Sequence, residues 1–301
     1  MPRISHLLSS LSSALGPASA RLEFKWMKQA AEQSDKGTSL VEMVERRLCG
    51  EPLQYIIGTQ PFGSLELLVR PPTLIPRPET EDWTLRLAEL VDPSPDRPIS
   101  LLDMCTGSGC IPLLLCHTWR PGSVNAYGVD ISADAIKLAR DNAERCGIHV
   151  PTVTYGHSSS SFNTFKPLLG NIRDASFIHS LKLKPPFNVI TSNPPYITRR
   201  EFKDLPPSVR DYEDHRALLG DPDISEDELS SHLDKGLTFY RIIARLIANQ
   251  GILADDGIVA LEIGSTQAND VGRIMQREGR LNRIDVWKDP WDKDRVVLAR
   301  R

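Results

Sequence analysis

Asn193-Pro194-Pro195-Tyr196 is the tetrapeptide whose side chains most narrowly restrict the chemistry available to this chain. It follows Phe187-Asn188-Val189-Ile190-Thr191, an apolar run that reads as a buried strand. The combination suits a planar –NH2 group. Such a nitrogen is a poor nucleophile, because its lone pair is delocalised into the neighbouring π system. A site that attacks through it must hold both N–H bonds and aim what remains of the lone pair. Asn193 brings a side-chain carbonyl acceptor. A residue that precedes a proline is kept out of the helical region, which holds its own carbonyl in a defined direction. Tyr196 brings a flat face to pack on the planar group. The competing reading is a proline-rich turn that ends a strand.

A second constellation lies upstream. Ile99–Met104 reads as a strand and runs through Asp103 into Cys105-Thr106-Gly107-Ser108-Gly109, where a helix begins. Glycines there let the backbone approach a ligand, and the helix points its first N–H groups at it. Asp130 ends the next strand and can accept hydrogen bonds from both hydroxyls of a ribose. The geometry suits an adenosine-containing ligand. A dinucleotide would call for a third glycine near position 112, where this chain has Pro112. S-adenosylmethionine has no pyrophosphate and makes no such demand. In an open α/β sheet all of these residues meet at the carboxyl ends of the strands.

The elements that must position them follow from the pattern. From residue 99 strands and helices alternate, which predicts an α/β, doubly wound, seven-stranded Rossmann-like domain over 99–301 with both sheet faces covered. Its final strands, Leu281–Trp287 and Arg295–Ala299, are expected to be antiparallel. Val150–Tyr155 reads as the third strand, and 157–185 and 203–236 as long irregular insertions, the second forming part of the substrate site. Residues 1–55 read as a small helical domain, with Ser39 as an N-cap and Gly50 as a stop. Residues 56–98 form an extended region with a strand at Leu65–Val69. Four prolines between Pro71 and Pro78 make that stretch stiff, and a helix is expected from Asp82 to Leu90.

Composition sets outer bounds. At 301 residues there is room for about two domains. A net charge of −3 argues against a large nucleic-acid footprint. No apolar run approaches the roughly 18 residues needed to span a membrane. The five cysteines form no C-x-x-C pair and, with the seven histidines, do not cluster at metal-ligand spacing, so no metal is expected. Residues 1–22 carry six serines, Arg3, His6 and Arg21 and no acid, with Leu7, Leu8, Leu11 and Leu15 at helical spacing. That composition fits a mitochondrial presequence and equally the first amphipathic helix of the mature fold, in a cytoplasmic protein.

Together these residues resemble the HemK/PrmC family of protein-glutamine N5-methyltransferases, which modify class I peptide-chain release factors. The resemblance spans most of the chain. It rests on Gly50-Glu51-Pro52-Leu53-Gln54-Tyr55-Ile56, on Ile75-Pro76-Arg77-Pro78-Glu79-Thr80-Glu81, on Asp103 to Gly109 and on Val129-Asp130-Ile131-Ser132. Ser192 to Ile197, Tyr212-Glu213, Leu261-Glu262-Ile263-Gly264 and Asp294-Arg295-Val296-Val297 also fit. It implies S-adenosyl-L-methionine as cofactor, with Thr106, Gly107, Ser108 and Gly109 at its methionine end and Asp130 at its ribose. Asp103 either touches that ligand or caps its loop, and Asn193 borders it. The resemblance further implies that Asn193, Pro194, Pro195 and Tyr196 hold the glutamine of a Gly-Gly-Gln tripeptide. Transfer would be in-line, with Asn193, Pro194 and Tyr196 as the catalytic set. The helical start and Arg77 and Glu79 would contact the release factor, unless those two side chains only pair with each other. Neither a membrane nor a nucleic acid is an expected partner.

Three departures stand out. Cys105 replaces the first glycine of the cofactor loop, which is tolerable at a negative φ. Gly156-His157-Ser158 stands where the family has an acid near the adenine. Glu213-Asp214 replaces Glu-Pro. Two other readings compete. An N6-adenine methyltransferase would use a similar loop, and the acidic 211–228 stretch argues against it. A non-catalytic cofactor-binding adaptor would have no use for the intact Asn193 loop.

Overall fold

The computed structural model describes residues 4–33, 38–151, 161–174, 176–223 and 234–301. The chain opens with four helices: α1 (Ile4–Leu15), α2 (Pro17–Gln33), α3 (Leu40–Leu48) and α4 (Leu53–Ile57). Their apolar faces share one cluster, in which Leu11, Ala20, Met27 and Val44 have no exposed surface. Ser39 caps α3 by accepting the Glu42 N–H at 3.2 Å, and Gly50 ends it at φ +92°. A hairpin follows, β1 (Thr59–Phe62) against β2 (Leu65–Leu68).

Helix α5 spans Pro78–Val91 and so begins four residues before the expected start. A proline at the first helical position loses only an N–H that has no partner there, so Pro78 starts the helix instead of blocking it. Glu79 and Thr80 therefore belong to its first turn.

Among the described residues the large sheet has seven strands: β3 (Ile99–Met104), β4 (Val124–Asp130), β5 (Thr164–Leu169), β6 (Phe187–Ser192), β7 (Leu253–Glu262), β8 (Arg283–Lys288) and β9 (Asp294–Arg300). Their order across the sheet is β5-β4-β3-β6-β7-β9-β8. All pairs are parallel except β7 with β9 and β8 with β9, as the short final connection demands. Successive side chains serve opposite faces. Leu101, Val189, Ala260 and Leu298 enter one core, with Trp83, Ile111 and Ala139. Leu102, Ile190, Leu261 and Val297 enter the other, with Tyr240, Ile243 and Val271. Helices α5, α6 (Cys110–Thr118) and α7 (Ala133–Arg145) thus cover one face. Helices α11 (Thr238–Gln250) and α12 (Ala268–Arg277) cover the other. Three short helices, α8 (Phe177–Ser180), α9 (Arg199–Lys203) and α10 (Pro207–Arg210), lie in the connections between β5 and α11.

The edge of the sheet differs from expectation. Most of the anticipated strand Val150–Tyr155 lies outside the described residues. The edge strand is β5, inside the stretch read as an irregular insertion. Pro167 hides it in the sequence, because a proline inside an apolar run argues against a paired strand. At a sheet edge a missing N–H is tolerated. Phe165, on the same strand, has no exposed surface and lies beneath the Gly109 turn. A Cβ on Gly109, whose φ is +80°, would come within 3.1 Å of that ring and 3.3 Å of Ala139.

Candidate active site

The carboxyl ends of β3, β4, β5 and β6 surround a partly enclosed cavity of about 260 Å³. Its wall includes Cys105, Gly107, Asp130, Asn171, Asn193 and Arg216. A larger hollow of about 850 Å³ between α7 and β5 carries none of the strand-end residues just named.

Asp130 is the acid of this cavity. One carboxylate oxygen accepts the Gly107 N–H and the other the Ser132 N–H, both at 2.9 Å. Burial pushes its pKa up, and those two N–H groups oppose the rise. Each oxygen keeps a free lone pair for a ligand hydroxyl. The Thr106 N–H reaches the Val129 carbonyl at 3.1 Å, which docks the glycine loop on β4.

Several residues expected to touch the cofactor stand behind the loop. Asp103 has no exposed surface. Its carboxylate accepts the Thr106 hydroxyl at 2.6 Å and the Thr191 hydroxyl at 2.7 Å. Burial pushes its pKa up to about 7 despite these bonds. Through these two bonds Asp103 ties the loop to β6. Thr106 and Ser108 are also buried and, with Gly109, are absent from the cavity wall. Gly107 is the residue of that run that faces the cavity.

Cys105 corrects a second expectation. Its φ is +59°, in the left-handed region, rather than negative. A Cβ there costs about 1–2 kcal/mol, and glycine returns part of that through its greater unfolded-state freedom. Cys105→Gly should therefore stabilise the protein by roughly 0.5–1 kcal/mol. A urea midpoint that rises with an unchanged slope would register it. A lower midpoint would mean that the thiol's packing outweighs the strain.

β5 ends beside Asp130 at the cavity, and the residues that follow it are Gly170-Asn171. The Gly170 N–H donates to the Asp130 carbonyl at 2.8 Å, and Asn171 lines the cavity. Gly156-His157-Ser158, the stretch expected near the adenine, lies outside the described residues. Asn171 is a cavity-lining residue that sequence reading missed, because β5 itself was missed.

The Asn-Pro-Pro-Tyr loop leaves β6 after Ser192, whose hydroxyl donates to the Met104 carbonyl at 2.6 Å. This ties the loop to the cofactor turn. Asn193 is half-buried, and its Nδ2 donates to Thr80 Oγ1 at 3.3 Å. Pro194 and Pro195 are buried, and Pro195 also lines the cavity. Tyr196 faces a neighbouring cavity of about 470 Å³ with Gly264 and Arg295. The Tyr196 carbonyl accepts Gln267 Nε2 at 3.0 Å, and burial pushes its phenol up. The loop therefore separates two cavities, one bordered by Asp130 and one by Tyr196.

Arg77 and Glu79 do not pair with each other. Arg77 Nη2 donates to both oxygens of Glu213, at 2.7 and 2.6 Å. Glu213 is buried, and desolvation pushes its carboxyl up against the pull of Arg77. The Asp214 N–H donates to the Pro72 carbonyl at 2.8 Å. The 211–217 segment is thereby strapped to the proline-rich stretch, and Asp214, Arg216 and Ala217 form one wall of the cofactor-side cavity. Residues 224–233 of the second insertion lie outside the described residues.

Among the described residues no group of three or more His, Cys, Asp or Glu side chains is placed to hold a metal ion, and no helix is long and apolar enough to cross a membrane.

No protein-family model matches the chain. The release factor glutamine methyltransferase of Geobacter sulfurreducens is 35% identical over 300 residues, covering 95% of this chain and 91% of the relative. The release factor glutamine methyltransferase of Bacillus cereus is 31% identical over 273 residues, covering 90% and 83%. Among solved structures, a methyltransferase from Pyrococcus furiosus superposes with a TM-score of 0.48 at 13% identity, covering 79% of this chain and 89% of that one. With 35% and 31% identity sustained along nine-tenths of its length or more, the chain belongs to the release factor glutamine methyltransferase family.

Proposed function

We propose that this protein uses S-adenosyl-L-methionine to methylate the side-chain amide nitrogen of a glutamine, that of the Gly-Gly-Gln tripeptide in a class I peptide-chain release factor. One observation carries the reading: Asn193 opens into the same cavity as Gly107 and Asp130. An amide-holding group and an adenosine-holding group share one space. The cavity fits the cofactor chemically, with an acid at one strand end, an exposed backbone turn beside it, and the apolar Val129, Ile131 and Phe239 for a flat base.

When bound, the cofactor supplies an electrophilic methyl group on a sulfonium. Everything else falls to the chain. Asp130 receives the ribose hydroxyls, and Asn171 meets the edge of the adenine. The Asn193 side-chain carbonyl accepts one N–H of the glutamine and the Pro194 carbonyl the other. Tyr196 supports the amide plane from the adjoining cavity. Held this way, the nitrogen presents what is left of its lone pair along the transfer axis. No general base is needed, because the amide nitrogen becomes acidic only as the new bond forms, and its proton then leaves to water. The acceleration comes from orientation and from dipoles set in advance. Arg77 and Glu79 lie close enough to act electrostatically on the Tyr196 phenol. They and the helices α1–α4 are assigned to contact with the release factor.

The release factor is taken to be mitochondrial, on the strength of the serine- and arginine-rich start. Leu7 and Leu11 of α1 are buried in the helical cluster, which supports an import signal that is retained rather than removed. Tagged full-length protein should reach mitochondria, and a chain lacking residues 1–22 should not. Cytosolic signal from both would sink the assignment.

The decisive assay uses methyl-labelled S-adenosylmethionine with a release factor. Label should enter the wild-type factor and be absent when its Gly-Gly-Gln glutamine is alanine. Label in DNA or RNA instead would overturn the reading.

A further inference from the structure

Asn193 can serve as an acceptor for substrate only if its amide is turned the right way. The two ends of a carboxamide are nearly the same size, so packing alone does not choose between them. Hydrogen bonds must. Three buried residues make that choice.

Glu262 ends β7 and is 1% exposed. Its Oε2 accepts the Trp83 indole N–H at 2.8 Å and lies 2.6 Å from Thr80 Oγ1. Tryptophan can only donate, so Oε2 is held as an acceptor. The single hydroxyl hydrogen of Thr80 is thereby committed to Glu262. Thr80 Oγ1 is left with lone pairs alone, and Asn193 stands 3.3 Å from it. Only the NH2 end of Asn193 can answer. The carbonyl end is then available to the cavity.

We propose that Trp83, Glu262 and Thr80 form a relay of hydrogen-bond polarity that sets the Asn193 amide with its carbonyl toward the substrate nitrogen. Thr80 and Glu262 are positioning residues and touch no reacting atom. The relay also accounts for an acid in a core with so few charges. Glu262 interrupts the apolar run Val259–Ile263 at the point where β7 passes beneath the first turn of α5. Because α5 begins at Pro78, Thr80 lies in that first turn and reaches both partners. The inference rests on the function proposed above, since it concerns the orientation of the residue that holds the substrate.

Thr80→Val keeps the shape of the side chain and removes both the donor and the acceptor. With full-length protein and a release factor, it should lower kcat by about 10- to 100-fold while leaving KM and the S-adenosylmethionine Kd within about threefold. Thr80→Ser should return kcat to within about fivefold of wild type, since the hydroxyl alone carries the polarity. In an Asn193→Ala background, Thr80→Val should cost nothing further. A Thr80→Val enzyme with wild-type kcat, or an undiminished loss in the Asn193→Ala background, overturns the relay. If Thr80→Val does not fold, Thr80→Ala supplies the same comparison. A second readout needs no turnover. In 15N-labelled protein, the Asn193 side-chain NH2 signals, identified by their absence in Asn193→Ala, should move in Thr80→Val and stay near their wild-type position in Thr80→Ser. Unmoved signals in Thr80→Val overturn the relay. A wild type that labels no release factor, with signals that do move, sinks the proposed function and leaves the relay standing.

Discussion

Alanine at Asn193 should lower turnover by about 10³-fold or more while S-adenosylmethionine still binds within about threefold of its wild-type affinity. The first half follows from what the side chain does. In the proposed mechanism it offers the acceptor that fixes the glutamine N–H in the transfer geometry, and no other side chain of its loop carries a carbonyl. An untethered amide keeps its lone pair in conjugation and rotates freely, so both orientation and charge stabilisation are lost at once. The second half follows from where the proposed cofactor contacts lie. Asp130, Gly107 and Asn171 come from β4, the turn after β3 and the end of β5, and none of them bonds to Asn193. Steady-state kinetics on a release factor, with calorimetry for the cofactor, separates the two. Loss of cofactor binding together with turnover would make Asn193 a cofactor ligand first.

The second large effect lies outside the catalytic loop. Gly236 sits at φ +67°, and a Cβ there would stand 1.9 Å from the Tyr196 carbonyl oxygen and 2.8 Å from Gln267 Nε2. Both atoms belong to the bond that staples the Asn-Pro-Pro-Tyr loop to the start of α12. Retreat is blocked on the other side, because the Gly236 N–H is held at 2.5 Å by the buried Asp221 carboxylate. That carboxylate also accepts the N–H groups of Leu237 and Thr238 at the start of α11. Gly236→Ala combines left-handed strain with overpacking against backbone, for a loss of roughly 3–5 kcal/mol. The melting temperature should fall by on the order of 10 °C. Any folded fraction should show reduced kcat, because relief is available mainly by moving Tyr196. Thermal unfolding and turnover of the purified variant check both. Wild-type values for the two would mean that the loop has room that these distances deny it.

Much of the site was legible before any fold was known. The Asn193 loop, the Gly107 turn and Asp130 each announce themselves locally. A proline restricts its neighbour, a glycine permits a left-handed turn, and an acid at the end of the strand after a glycine turn can accept hydrogen bonds from a ligand. Apolar runs alternating with helical ones marked six of the seven strands of the large sheet, all but β5, and the turn residues placed their carboxyl ends together. Edge strand β5 escaped because its signal is weak for a physical reason. At the edge of the sheet among the described residues, it tolerates Pro167 and lacks the β-branched run of an inner strand. The stretch Gly156–Ser158 expected near the adenine lies outside the described residues, whereas Asn171, which follows β5, is on the cavity wall. The φ of Cys105 was equally out of reach, since cysteine at a glycine-like position is visible only in the backbone itself.

By itself the sequence determined which groups this protein can present: a carboxamide, a fixed carbonyl, a ring and an acid, all at the ends of parallel strands. Those follow from residue type and short-range periodicity. Tertiary structure alone decided how they are supported and aimed. Arg77 finds Glu213 across 136 residues and Thr80 finds Glu262 across 182. Such partners are set by how α5 crosses the sheet and how the 211–217 segment folds back. Burial then makes each unpaired polar group too costly to leave, so packing, rather than local preference, chooses the bonds that orient Asn193.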